Sequence, residues 1–368
     1  MSNLANAHLQ RDHDVAPLLL SAHVLRNDNE ALQAAHALAA VAREHAAKRD
    51  QQRKLPWSQL EAFTQSGLGS ISVPREFGGP QVSYVTLAEV FAIISAADPA
   101  LGQIPQNQVG ILNLIQSTAT HAQKEQLFSS VLQGWRIGNA GPERGSKNTL
   151  DLKARITTDG DEVVINGQKF YSTGALFAHW IAVKALNEDG KQVIAFVRRG
   201  TPGLRVVDDW SGFGQRTTAS GTVLLNDVRV DADLVVDNWR INESPNIQGA
   251  VSQLIQAAID LGIAREAIAD TISFVRERSR PWIDAKVERN SDDPYVIADI
   301  GKLSIELHAA HALLRKAGRV LDEVSAKPID AQAAARASIA VAEAKVLSTE
   351  LSLLASEKLF ELAGSRAS

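Results

Sequence analysis

The sequence contains no cysteine, which removes disulfides, thiolate nucleophiles, iron–sulfur clusters and zinc ribbons and suits a reducing compartment. Met1 is the only methionine, so a haem with a methionine ligand is excluded as well. Positive charge is not in excess: 38 Lys and Arg stand against 42 Asp and Glu, a formal net charge of −4. No basic stripe is therefore available to neutralise nucleic-acid phosphates. No apolar run reaches the roughly 20 residues of a membrane span. The N-terminal VAPLLL is too short, and too closely preceded by charge, for a secretory signal. Sequence motifs are missing too. There is no GxSxG elbow, P-loop or GxGxxG, no HExxH, and no Glu-x-x-His pair of the di-iron kind. These absences describe a cytoplasmic globular protein with neither nucleic acid nor membrane as partner, and no metal site.

What is present fills two or three packed units, given 368 residues. Residues 1–134 read as mainly helical. Asp28 or Asn29 caps a helix through EALQAAHALAAVAREHAAKRD, and a short helix follows Pro56 and stops near Gly67. Ser83 caps YVTLAEVFAIISAA, which Asp98-Pro99 ends. Residues 135–242 read as β. Asp159-Gly160 and Asn166-Gly167 are turn signals between strands, and WIAVKAL, QVIAFVRR, LRVVDDW and GTVLLNDVRV continue the pattern. Residues 243–368 are helical again: a run of about thirty residues stopped by Pro281, a second from about 295 to 325, and a last long helix. In that last helix Arg336, Glu343, Glu350 and Glu357 recur every seven residues, as do Ile339, Val346, Leu353 and Phe360. The spacing predicts one wet and one buried side.

Two stretches carry candidate chemistry. WSGFGQRTTASGT, Trp210 to Thr222, holds Gly212, Gly214 and Gly221, Arg216, and the hydroxyls of Ser211, Thr217, Thr218, Ser220 and Thr222. KFYSTGALFAHW, Lys169 to Trp180, again sets hydroxyls and aromatics at strand edges. Aromatic planes can cover a flat conjugated ring while hydroxyls and backbone N–H groups satisfy its polar edge. Thr, Tyr and Trp also favour strands for their own sake, so both readings stand on composition alone. His308 and His311, three apart on a helix, read as polar helix-face residues.

At these residues the sequence resembles the acyl-CoA dehydrogenase family over nearly the whole chain. VPREFGG is similar to its Val-Pro-x-Glu-Tyr-Gly-Gly turn, and NGQKFYSTG to its Asn-Gly-x-Lys-x-Trp-Ile-Thr segment. DDWSGFGQRTTASGTV, ERSRPWIDA and DDPYVIADIG together resemble the family's flavin-dependent monooxygenase branch, which includes dibenzothiophene and methanesulfinate monooxygenases. The resemblance implies an α+β multidomain fold: an N-terminal helical domain, a central β-barrel domain and a C-terminal helical bundle. Dehydrogenases hold the adenosine half of FAD with Arg-x-x-Phe-Gly and Gln-x-x-Gly-Gly-x-Gly segments. Here these become Arg278-Ser-Arg-Pro281-Trp282 and FELAGSR, Phe360 to Arg366. Proline and indole replace open space, and Ala363 and Arg366 stand where glycines allow close approach, so the shorter FMN fits better. AVSQLIQAAID offers no glutamate to serve as a dehydrogenase base.

By the resemblance, reduced flavin meets oxygen and forms a C4a-peroxide sheltered from water. Thr173 is then expected near flavin N5 or the peroxide, with Ser172 a neighbouring hydroxyl and Asn139 near the flavin edge or substrate. Tyr171 lines the ring, Trp210 packs against it, Thr218 and Ser220 serve its polar side chain or phosphate, and Arg280 clamps the phosphate. Relatives place a histidine where this chain has Gln108, and a neutral amide cannot shuttle protons. Either that histidine is dispensable here or the substrate differs. The relatives also continue into a Trp-Arg-Asn-x-Arg-Thr-His segment beyond ELAGSRAS. The expectation is a two-component FMNH2-dependent monooxygenase acting with O2 on a small organosulfur compound, methanesulfinate-like first and thiophene second. A separate NAD(P)H:FMN reductase supplies the flavin, and the assembly is a homotetramer. The rival readings are an FAD-dependent acyl-CoA dehydrogenase and a non-catalytic flavin-binding homologue.

Overall fold

The computed structural model describes residues 16–148 and 151–364. The stretch before Ala16 and Arg366 of the FELAGSR comparison lie outside the described residues. The chain forms two compact units that interleave along the sequence. One gathers the residues up to Glu30, His45–Gln81 and Gln103–Ser244; the other gathers Ala31–Glu44, Val82–Gly102 and the chain from Pro245 onward.

The first unit holds the sheet. Its strands are β1 (Ile137–Ala140), β2 (Arg155–Asp159), β3 (Glu162–Lys169), β4 (Trp180–Leu186), β5 (Gln192–Arg198), β6 (Leu204–Val207), β7 (Thr222–Asp231) and β8 (Val235–Val236). They lie in the order β6-β7-β3-β2-β4-β5-β8, with β1 parallel to β4. Asp159 pairs with Glu162 across the expected Asp-Gly turn. Asn166-Gly167 is not the second turn. β3 runs straight through it and carries a bulge, the register on β7 shifting between Ile165 and Gly167. Two features explain this. Gly167 sits at φ 155, where a Cβ would stand 2.6 Å from that of Ala154, and Asn166 exchanges hydrogen bonds of 2.9 and 2.8 Å with Asp227 on β7. Such a bulge bends a strand without ending it. Helices α2 (Ala46–Gln52), α3 (Trp57–Gln65), α6 (His121–Leu132) and most of α5 (Pro99–Thr118) complete the unit. Phe128, Leu112, Ile115 and Phe196 belong to its apolar core.

The second unit is helical: α1 (Asp28–Arg43), α4 (Tyr84–Ala97), α7 (Gln248–Glu277), α8 (Pro294–Ser325) and α9 (Ala331–Ala363). The helix expected to run to Asp50 breaks after Arg43, and His45 takes a left-handed φ of 59; the break falls where the chain passes between units. Ser83 caps α4 as expected, its hydroxyl accepting from Thr86 N at 3.1 Å, and Asp293 and Asp330 cap α8 and α9. α7 closes at Glu277, ahead of Pro281, with the N–H groups of Arg278 and Ser279 both on Phe274 O. α4 is buried nearly all round, as a helix at the centre of a bundle must be.

α9 reverses one expectation. Ile339, Val346, Leu353 and Phe360 are exposed, at 61%, 58%, 68% and 56%. The buried face is made of Ala337, Ala340, Ala344, Ser348, Ser352 and Ala355, with Val341 and Leu351. Small residues let this helix approach its neighbours closely, and the larger side chains cannot occupy that face. His311 is a hydrogen-bonding residue: its Nε2 lies 2.9 Å from Glu89, which also pairs with Arg265 at 3.1 Å. Burial works against ionising Glu89, yet His311 and Arg265 hold its carboxyl down at about 2. Among the described residues no group of three His, Cys, Asp or Glu could hold a metal ion, and no helix is long and apolar enough to cross a membrane.

At Gly262 in α7 an added Cβ would lie 2.5 Å from the carbonyl oxygen of Ala92 in α4. Gly→Ala inside a helix ordinarily stabilises by up to about 1 kcal/mol. Here the sign reverses: Gly262→Ala is expected to destabilise by about 1–3 kcal/mol through overpacking. A urea midpoint equal to or above wild type would refute the close contact.

Candidate active site

β3 ends at Lys169, and the chain turns through Phe170, Tyr171, Ser172 and Thr173 before a short 3-10 turn at Ala175–Phe177. β1 runs beside this turn, Asn139 N donating to Thr173 O at 3.1 Å. From the other side comes the loop between β6 and β7. Ser172 N donates to Gly221 O at 3.2 Å, which brings the two sequence-predicted stretches against each other. Three non-glycine residues here take left-handed backbone: Tyr171 at φ 54, Gln215 at φ 45 and Ala219 at φ 47. Such conformations persist only where their surroundings hold them, and they collect at binding sites.

The meeting of the stretches makes a line of hydroxyls. Thr173 Oγ1 lies 2.7 Å from Ser220 Oγ, which lies 2.8 Å from Thr218 Oγ1. Thr218 Oγ1 donates to the Gln215 carbonyl at 3.1 Å, and Trp210 Nε1 donates to the same oxygen at 3.2 Å. The Tyr171 and Trp210 rings stand edge-to-face at 5.8 Å, and Tyr171 is 55% exposed. Phe170, itself buried, packs on Tyr171 at 4.6 Å, and the Arg144 guanidinium lies 3.5 Å from the centre of the Phe170 ring. Ser172 Oγ is buried with no protein partner. An unsatisfied buried hydroxyl, a row of hydrogen-bonded hydroxyls and an exposed tyrosine suit a planar ligand with a hydrogen-bonding rim.

Of the expected site residues, Thr173, Ser172, Asn139, Tyr171, Trp210, Thr218 and Ser220 all belong to this cluster. Asn139 Nδ2 reaches the Tyr171 carbonyl at 3.5 Å. Arg280 is exposed, beyond the end of α7, and belongs to the other compact unit. Several contributors escaped the sequence reading. Gln215 acts through its main-chain oxygen, which no side-chain pattern reveals. Lys169 is wholly buried; its Nζ lies 2.6 Å from Glu143 and 3.2 Å from Gly141 O. Glu143 also accepts from Lys153 N at 2.7 Å and Ala154 N at 3.0 Å. Burial opposes the charge on Glu143, but Lys169 and these two N–H groups hold its carboxyl below the usual range. Burial pushes the Lys169 ammonium down, with Glu143 resisting. The pair locks the loop after β1 to the end of β3, directly before the aromatic turn.

Gln108 has a structural occupation: its Nε2 donates to Gly69 O at 2.7 Å and its Oε1 accepts from Ile137 N at 2.8 Å. It therefore anchors β1. Nearby, His179 Nδ1 accepts from Arg136 N at 2.9 Å, and the Arg136 guanidinium binds Thr64 Oγ1 and Phe177 O at 2.7 Å each. Burial, then the Arg136 charge, push His179 down to about 4 from 6.5.

Models for three domains match the chain: the acyl-CoA dehydrogenase N-terminal domain over residues 28–134, the middle domain over 138–228 and the C-terminal domain over 254–368. Dibenzothiophene monooxygenase of Rhodococcus erythropolis is 30% identical over 355 residues, 92% of this chain and 85% of that protein. A probable FMNH2-dependent monooxygenase, SfnC of Pseudomonas putida, is 27% identical, covering 92% of this chain and 86% of its own length. Among solved structures, FMN-bound TdsC from a Paenibacillus species superposes with a TM-score of 0.87 at 28% identity, over 92% of this chain and 88% of that one. Methanesulfinate monooxygenase MsuC of Pseudomonas fluorescens gives 0.83 at 26%, over 92% and 87%. Butyryl-CoA dehydrogenase of Megasphaera elsdenii, at 17% identity, shares the fold alone. The chain belongs to the acyl-CoA dehydrogenase family. Within that family it is a flavin-dependent monooxygenase.

Two outcomes are expected. Removing one partner of a buried ion pair costs about 3–5 kcal/mol, so Lys169→Met should lose that much in urea unfolding. The double variant Lys169→Met, Glu143→Gln should recover part of the loss; additive losses would deny the coupling. For His179 the folded value lies below the unfolded one. Between pH 6.5 and about 4 the unfolded chain takes up a proton that the folded chain refuses. Stability therefore falls as pH drops through that window, by at most about 1.4 kcal/mol per pH unit. The Glu89 contribution is lost only lower, from 4.5 towards 2. His179→Asn, which keeps an acceptor for Arg136 N, should flatten the decline between pH 6.5 and 5; an unchanged slope would reject the assignment.

Proposed function

We propose that the hydroxyl and aromatic cluster receives the isoalloxazine ring of FMN in its reduced form, and that the enzyme oxygenates a small organosulfur compound, methanesulfinate-like in the first instance and a thiophene in the second. The observation that carries this reading is the meeting of Thr173, Ser220, Thr218, Tyr171 and Trp210 in one cluster. It is supported by relatives whose names specify dibenzothiophene, methanesulfinate and FMNH2 as what they act on or use. Reduced FMN, when bound, supplies the two electrons with which O2 is activated. The protein's part is positioning and shelter. Tyr171 and Trp210 cover the ring, Thr173 meets its polar edge, and Asn139 and Ser172 supply further polar groups beside it. Thr218 and Ser220 fix the direction of the Thr173 hydroxyl, and the buried aromatic Phe170 keeps water from behind. Arg280 takes the phosphate, its planar fork suited to two phosphate oxygens.

The flavin arrives from a separate NAD(P)H:FMN reductase, and the protein works in the cytoplasm. The exposed apolar row on α9 supports assembly into a homotetramer. The boundaries 1–134, 135–242 and 243–368 serve as working domain limits.

The test supplies purified protein with FMN, NADH, a flavin reductase and a panel of sulfinates, sulfones and thiophenes, with oxygenated product followed by mass spectrometry. Product above the reductase-only blank is expected with at least one of them. None with any, or a yellow FAD protein reduced by acyl-CoA, would defeat the reading. Arg280→Ala should raise the FMNH2 concentration for half-maximal rate by about 10-fold or more, the worth of a charge-assisted hydrogen bond.

A further inference from the structure

The geometry points to a one-way hydroxyl chain that makes this site favour reduced over oxidised flavin, an inference that rests on the flavin placement proposed above. Each hydroxyl has a single proton to give and lone pairs to receive. Thr218 Oγ1 lies 3.1 Å from the Gln215 carbonyl oxygen, which can only accept, so the Thr218 proton goes there. Ser220 Oγ, 2.8 Å from Thr218 Oγ1, must then donate to it. Thr173 Oγ1, 2.7 Å from Ser220 Oγ, must in turn donate to Ser220. The three protons run in one direction, from Thr173 through Ser220 and Thr218 to Gln215. Reversing them would leave the Thr218 oxygen and the Gln215 carbonyl facing each other at 3.1 Å with no proton between.

The end of the chain is fixed. The Gln215 carbonyl also receives Trp210 Nε1 and Thr218 N, each at 3.2 Å. Burial strengthens the polarity, since Thr218, Ser220 and Thr173 are only 1%, 5% and 8% exposed and hydrogen bonds in a row reinforce one another away from water. Thr173, the outermost of the three, therefore meets its ligand with lone pairs alone.

A flavin changes character at N5 with its redox state. Oxidised, N5 is a bare acceptor; reduced, it carries a hydrogen and donates. A Thr173 oxygen without a free proton satisfies the reduced ring and sets lone pair against lone pair in the oxidised one. Discrimination comes from the repelled state as much as from the bound one. An enzyme that takes its flavin reduced from solution and returns it oxidised is served at both steps by this one polarity.

The test is anaerobic titration calorimetry of oxidised FMN and of dithionite-reduced FMN on wild type, Thr218→Val, Thr218→Ser and Ser220→Ala. Wild type should bind the reduced form at least about tenfold more tightly, the scale of one misdirected hydrogen bond. Thr218→Val keeps the side-chain shape but removes the terminal step. Ser220 can then turn its proton to Thr173, and Thr173 can donate outward. The preference should fall towards unity, chiefly through tighter binding of oxidised FMN, and Thr218→Ser should restore it. Ser220→Ala frees the Thr173 proton by another route and should act likewise, which guards against misfolding of the valine variant. A tenfold change in the ratio equals about 30 mV in the two-electron potential of the bound flavin, readable by dye titration. Binding of both states with the same ratio in wild type and both chain-breaking variants overturns the inference alone. Binding of neither state by wild type overturns the flavin placement and the inference with it.

Discussion

A wholly buried lysine ammonium is the constraint on which the site depends. Among the described residues, Lys169 at the end of β3 is satisfied by Glu143 and the Gly141 carbonyl, and Glu143 by Lys169 and two backbone N–H groups. Neither charge can be left alone in that interior. The loop after β1 must therefore close onto β3, and the residues that follow Lys169 start from a fixed point. Phe170 N continues the clasp by donating to Pro142 O at 2.9 Å. The left-handed turn at Tyr171 and the placement of Thr173 follow from this anchoring.

The fold and the site answer to different parts of the chain. Domain models and structural neighbours at 17% identity establish how the chain is folded, and that fold serves more than one chemistry. The proposed chemistry depends instead on what the loops after β3 and β6 carry. Here they carry hydroxyls tied to a main-chain carbonyl and aromatic edges over a buried phenyl ring. Gln108 shows the same division. Its amide bonds one main-chain group on either side and so holds β1 in place, a task that asks for a donor and an acceptor but not for a titrating group.

Much of the fold was legible because it depends on local signals. Ser83 as a cap, Pro56 before α3 and Asp98-Pro99 after α4 act within a few residues, and the long helices of the second unit announce themselves by period. The failures came where a distant partner decides. Asn166-Gly167 has the composition of a tight turn, but Asp227, 61 residues on, holds it in a strand. The row Ile339, Val346, Leu353 and Phe360 has the hydropathy of a buried face, yet close packing of α9 selects its alanines instead. In the site, the hydroxyl and aromatic side chains that meet in one cluster could be picked out by type. The parts that orient them could not: Gln215 contributes a carbonyl, and Lys169 and Glu143 lie 26 residues apart.

The bare apolar row of α9 has a practical consequence. Four large side chains on one outward line lose solvation free energy in water and recover it against any apolar partner. If copies of this chain cover them, association and folding become one linked equilibrium. Thermal midpoints would then rise with the amount of protein in the tube, and a dilute assay and a concentrated stock would contain molecules of different resilience.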